Sequence, residues 1–293
     1  MTDPLVRQGE DGRLLLQHGP IDLIIELFGS KDEVRQAYVQ ATAYFRDLLD
    51  GLVEELTMLR RPVGAAYPMF QGPVAQDMAR AVWPHRDDFI TPMAAVAGAV
   101  ADAVLQAAIK DRTLEKGYVN NGGDIALYLS PGASLNAGVV ADLQTGGLSG
   151  HVRLAHDMAV RGIATSGWRG RSHSRGIADA VTVLAGSAAE ADAAATMIAN
   201  RVDVVHSGIE RVPANSLDAD SDLGDILVTV AVAALPEGPR RAALLSGVDR
   251  ARRLLSRGII QGALLSIGDQ AATVGNLAEE VLGEKLPDEG HLL

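Results

Sequence analysis

Three groups of residues in this chain combine types and spacings that suit work on a phosphate-bearing ligand. The first is Val119-Asn-Asn-Gly-Gly-Asp-Ile125, which sets Asn121, Gly122, Gly123 and Asp124 in a row. Paired glycines between two strand-like runs let the backbone approach a ligand closely or take positive φ. Asp124 can accept a hydrogen bond from a ribose or base donor. The segment is also a strong hairpin signal, and by itself it reads as a hairpin.

The second group is Gly162-Ile-Ala-Thr-Ser-Gly167, followed by Trp168-Arg-Gly-Arg-Ser-His-Ser-Arg-Gly176. Thr165, Ser166 and Gly167 offer hydroxyl and backbone donors, and Arg169, Arg171 and Arg175 add charge and a planar fork for an anion. A flexible basic surface loop has the same composition. The density of Gly, Ser and Arg in an otherwise acidic chain tilts the reading toward a ligand.

The third group lies in Glu190-Ala-Asp-Ala-Ala-Ala-Thr196, where Asp192 and Thr196 fall at i and i+4, one turn apart on one helix face. A carboxylate with a hydroxyl is the hard-oxygen set that Mg²⁺ uses when a ligand phosphate completes its shell. An Asp near a helix start also serves the helix dipole, and in isolation that is the better reading. Asp179, just ahead of the expected strand Val181–Leu184, is either a site residue or a turn residue. His173, inside the Arg-rich loop, is the one histidine placed for proton transfer. His151 and His156 lie five apart and face opposite sides of a strand, a poor metal pair. No Rossmann fingerprint, P-loop or nucleophile elbow occurs.

The elements that must position these groups alternate between short strands and apolar helices. Leu14–Leu16 and Ile21–Phe28 read as two strands joined at His18-Gly-Pro. Ser30-Lys-Asp-Glu33 is a capping box, with Glu33 reaching back to Ser30, and it opens a long helix that stops before Pro62. Residues 64–92 are loop-rich with a short helix near 74–82, and 93–111 form a buried Ala-rich helix. Strands are expected at 116–119, 124–129, 135–142, 151–157, 160–164, 181–184 and 226–233, with helices at 188–200 and 240–257. The expected architecture is an α+β fold of mostly antiparallel sheets flanked by helices, with a buried Ala/Gly-rich helix, as one domain over 1–284 and a mobile tail over 285–293.

Composition narrows the function. The 293 residues carry a formal charge of -11, which argues against a nucleic-acid partner. Apolar residues make up 47% but aromatics only 4%, so Ala, Val, Leu and Gly must fill the core. Such small side chains also make flat packing surfaces, and a homo-oligomer is expected. Cysteine is absent, which excludes disulfides, thiolate metal sites and cysteine nucleophiles. The polar start and the interrupted apolar stretches predict no membrane association and a cytoplasmic location.

In their order along the chain, these segments resemble the ApbE family of FAD:protein FMN transferases. That family carries a segment like G-G-I-A-K-G-Y-A-V-D, then V-N-I-G-G-D-I, then A-T-S-G, then S-V-T-V followed by A-D-A-x-A-T. Here the counterparts are Met93-Ala-Ala-Val-Ala-Gly-Ala-Val-Ala-Asp102, Val119–Ile125, Ala164–Gly167, Ala180–Val183 and Ala191–Thr196. The resemblance covers roughly 90–200. It implies that Asp192 and Thr196 hold Mg²⁺ against an FAD diphosphate, that Gly122, Gly123 and Asp124 lie along the nucleotide, and that Thr165 and Ser166 line the pocket. The family's Lys is Ala97 here, and Ser172-His-Ser-Arg-Gly-Ile-Ala-Asp179 replaces its H-x-x-D-P-x-T-G stretch. These departures resemble an uncharacterised cytoplasmic branch of the superfamily.

Three functions fit these residues. The first is a Mg²⁺-dependent transferase or hydrolase acting at a phosphate of FAD or a related nucleotide. The second is a flavin- or nucleotide-binding protein without catalysis. The third is a cofactor-biosynthesis enzyme on a pterin-like or phosphorylated substrate, with His173 and Asp179 as its acid/base pair.

Overall fold

A computed structural model of the chain describes residues 3–142, 147–170 and 172–275, with side chains outside 139–150. Arg171 and the expected tail 285–293 lie outside the described residues.

The elements run in chain order as β1 (Leu5–Gln8), β2 (Leu14–His18), β3 (Ile21–Gly29), α1 (Lys31–Glu54), α2 (Leu56–Leu59), α3 (Pro73–Val82), α4 (Val96–Ile109), β4 (Leu114–Asn121), β5 (Asp124–Leu129), β6 (Ser134–Asp142), β7 (Gly147–Ala155), β8 (Gly162–Ser166), β9 (Ala180–Ala185), α5 (Ala188–Ala199), β10 (Ile209–Pro213), β11 (Leu227–Val232), α6 (Glu237–Ser256), β12 (Gly262–Ile267) and β13 (Gln270–Gly275). The chain forms two compact units. One runs up to Leu135 and adds Leu154–Ala164 and Ala185–Ala193; the other comprises Asn136–Arg153, Thr165–Leu184 and Ala194 onward.

In the first unit the strands follow the order β1-β2-β3-β4-β5-β8, and each adjacent pair is antiparallel. The registers Ile25↔Val119 and Val119↔Ala126 put Ile25, Val119 and Ala126 side by side, all three fully buried. α4 packs on β4 and β5 and against α1 and α3. Its face of Gly98, Ala99, Ala101, Val104, Leu105 and Ala108 is solvent-free because small side chains admit close neighbours. The Ala-rich helix is therefore buried as expected. Its first turn, Pro92–Ala95, is a 3₁₀ segment rather than α-helix. Pro92–Ile109 is long and apolar enough to cross a membrane by composition (mean hydropathy 1.6), yet half of it is buried as the core helix of this unit.

α1 begins as expected, with Ser30 Oγ accepting from Glu33 N at 3.4 Å. The other half of the capping box differs. Glu33 Oε2 accepts from Thr113 N at 2.7 Å, and its second oxygen sits 3.6 Å from Arg112, so the carboxylate joins the helix start to the α4–β4 connection.

In the second unit β9, β12 and β13 pair antiparallel, and α6 packs on β12 and β13. β10 and β11 form an antiparallel ribbon, and β6 and β7 form a further two-stranded sheet. The strands at 209–213, 262–267 and 270–275 are not among those expected. β12 is buried at every position, so it shows no two-residue alternation. β10 is short and only partly covered.

Candidate functional site

The diglycine segment is a tight hairpin turn. Asn121 faces Asp124 across β4 and β5, and the two residues between them have positive φ, 65° at Gly122 and 112° at Gly123. A side chain is strained in that conformation, which is the reason for glycine at both places. Asn120 Oδ1 accepts from Gly123 N at 2.8 Å and braces the turn. Asn121, almost fully buried, points away from it and donates from Nδ2 to Ala97 O at 3.1 Å. The turn is thereby fastened to the start of α4.

Asp192 reaches the same place. Gly98 N, third in α4 and without a partner inside its own helix, donates to Asp192 Oδ2 at 3.1 Å. Burial pushes the Asp192 carboxyl up to about 7, although the N–H groups of Gly98 and Ala97 pull it down; the nearby Asp102 charge adds to the rise. The first unit therefore brings Asn121 and Asp192 to the consecutive residues Ala97 and Gly98. Asp192 does serve a helix N-terminus, but that of α4 and not of its own helix. Thr196 is half-buried one turn further along α5. Among the described residues no three or more His, Asp or Glu side chains gather into a metal site.

Asp102 lies outside the site residues expected from the sequence, yet it mirrors Asp192. Its Oδ1 accepts from Ala188 N at 3.0 Å and its Oδ2 from Ala189 N at 2.9 Å, the first two residues of α5. Burial pushes this carboxyl up to about 6, opposed by those two N–H bonds. The signal available was a lone carboxylate in an Ala/Val helix, since a charge in an apolar stretch needs a partner. Where the two helices meet, a Cβ on Gly98 would overlap the Ala188 carbonyl, and one on Gly162 would overlap Ser187.

The second unit gathers the other predicted residues. Thr165 Oγ1 lies 2.9 Å from Thr182 Oγ1, and Ser166 is half-buried. Gly167 is buried against the Asp179 carbonyl. Asp179 Oδ1 accepts from Trp168 Nε1 at 3.2 Å and from Arg169 Nε at 3.0 Å, while Oδ2 accepts from Gly268 N at 2.6 Å. The Arg169 guanidinium also stacks over the Trp168 ring, 4.4 Å from its centre. Asn200 Oδ1 accepts from Arg175 N at 2.9 Å, and Arg211 Nε donates to the Arg175 carbonyl. His173 is exposed, and no hydrogen bond joins it to Asp179 among the described residues. The structure thus joins Asp179 to Arg169 and leaves His173 apart.

The model of a family described as AbpE bacteria matches residues 5–280. A UPF0280 protein of Methanopyrus kandleri is 35% identical over 159 residues, 54% of this chain and 61% of that protein. A UPF0280 protein of Methanosphaerula palustris is 42% identical over 116 residues, 39% of this chain and 47% of its own length. The chain spans less than two thirds of these relatives. Among solved structures, the apo flavinyl transferase ApbE of Pseudomonas stutzeri superposes with a TM-score of 0.44 at 14% identity, covering 98% of this chain and 99% of that one. The flavin transferase ApbE of Vibrio cholerae gives 0.43 at 11% identity over 95% and 100%.

Proposed function

The chain belongs to the AbpE bacteria family, and on that premise we propose that it binds a flavin nucleotide such as FAD together with Mg²⁺ and acts at a phosphate of that ligand. The observation that supports this reading is the meeting of Asn121 and Asp192 at Ala97 and Gly98. Asp192 is half-buried, and a carboxylate withdrawn from water is costly without a cation beside it. Backbone N–H groups of Gly98 and Ala97 are what lower the Asp192 carboxyl against the rise from burial, and no cationic side chain is among those causes. Two N–H bonds leave a carboxylate further lone pairs. Asp192 and Thr196 would hold the metal, with the remaining oxygens drawn from the ligand phosphates. The metal would supply charge neutralisation at the pyrophosphate. Gly122, Gly123 and Asp124 would lie along the nucleotide, and Thr165, Ser166, Gly167 and Arg169 would contact its polar groups, with Arg171 adding charge.

A second reading, a binding protein without catalysis, draws support from Asp179. Both of its oxygens are held by Trp168, Arg169 and Gly268, and His173 is not engaged with it, so the expected acid/base pair lacks its geometry. Titration of the purified protein with FAD, with and without Mg²⁺, tests the shared part. Mg²⁺-dependent binding that Asp192→Ala weakens by about tenfold or more is the expected result; equal binding by the variant overturns the metal assignment. Release of FMN or AMP from bound FAD then selects the enzyme over the binder.

A further inference from the structure

We propose that Asp102 is a positioning residue for Asp192, the two carboxylates forming a reciprocal latch that fixes one helix start against the other. Gly98 and Asp102 stand at i and i+4 on α4; Ala188 and Asp192 stand at i and i+4 on α5. Each helix presents its open first-turn N–H groups to the other and receives a carboxylate from one turn further along. Gly98 and Ala188 meet backbone to backbone between the two carboxylates.

Two helix N-termini at this separation turn like partial charges toward each other, and carboxyl oxygens accepting from the open N–H groups at each offset that repulsion. The latch therefore works only as a pair. With an amide in place of the Asp102 carboxylate, one oxygen remains for the two first N–H groups of α5 and an NH2 donor faces the other, so the start of α5, which carries Asp192, is released from α4. Asp102 touches no ligand in this scheme. Its functional consequence rests on the reading of Asp192 as a ligand-site residue.

The latch itself is tested without any ligand. Amide hydrogen exchange is measured at Gly98, Ala188 and Ala189 in the wild type, Asp102→Asn and Asp192→Asn, with Leu23 and Val119 as references for global opening. In Asp102→Asn, exchange at Gly98, a bond Asp102 does not make, is expected to rise about tenfold over the references. In Asp192→Asn the same rise is expected at Ala188 and Ala189. If either variant fails to fold, the other decides. Unchanged exchange at the distant helix start overturns the latch.

The functional half is read by the Mg²⁺ concentration that half-saturates FAD binding, expected to rise about tenfold in Asp102→Asn. A variant with accelerated Gly98 exchange but wild-type Mg²⁺ dependence overturns the positioning role. A wild type that binds no FAD overturns the proposed function while the exchange result still decides the latch.

Discussion

Trp168 donates its indole N–H to Asp179 Oδ1 at 3.2 Å, so one carboxylate holds both the aromatic and the arginine of the Trp-Arg loop. The other oxygen of Asp179 accepts from Gly268 N in the β12–β13 turn, so the loop and the turn share an anchor. Asp179→Ala should cost about 2 kcal/mol, the size expected for charged hydrogen bonds left unmade. The chain has two tryptophans, Trp83 and Trp168, so intrinsic fluorescence can follow the change. A red shift with faster quencher access is expected; an emission spectrum identical to wild type would show that Asp179 does not hold the ring.

Gly98→Ala tests the close approach of α4 and α5. The added methyl would overlap the Ala188 carbonyl, and backbone cannot step aside as a flexible side chain can. A loss of about 3 kcal/mol or more is expected in urea unfolding. Gly64→Ala, where nothing lies within 4 Å, serves as the control with an effect under about 0.5 kcal/mol. Similar midpoints for the two variants would contradict the contact.

The Asp102 carboxyl stands near 6 in the folded chain against 3.8 in an unperturbed one. Its folded pKa is raised, so the folded chain holds more protons than the unfolded chain between those values. The stability from this group is full below about 4 and is lost as pH rises through about 6. Asp192 acts in the same direction up to about 7. Asp102→Asn should flatten the decline between pH 4 and pH 6 by about 1–3 kcal/mol. Parallel stability curves for variant and wild type over that range would refute the assignment.

Much of this was legible in the sequence because it is local. The Asn-Gly-Gly-Asp hairpin follows from positive φ at two adjacent positions, and the Ala/Val stretch before it reads as a buried helix. Other features depend on partners far along the chain. The hydrogen bonds from Ala188 and Ala189 to Asp102 cross 86 and 87 residues, and no local pattern encodes them. The second half of the Ser30–Glu33 box failed for the same reason, because Thr113 and Arg112 compete for the Glu33 carboxylate. β12 is not legible in the sequence because a strand covered on both faces lacks the alternation that marks a strand.

The contact between Gly98 and Ala188 also limits how this protein can tolerate sequence change. Where two side chains meet, an enlarged residue on one side can be rescued by a reduced one on the other. Here the facing surface is main chain, which no codon can make smaller. A selection for second-site suppressors of a Gly98 substitution should therefore return reversion to glycine and no partner substitution at Ala188.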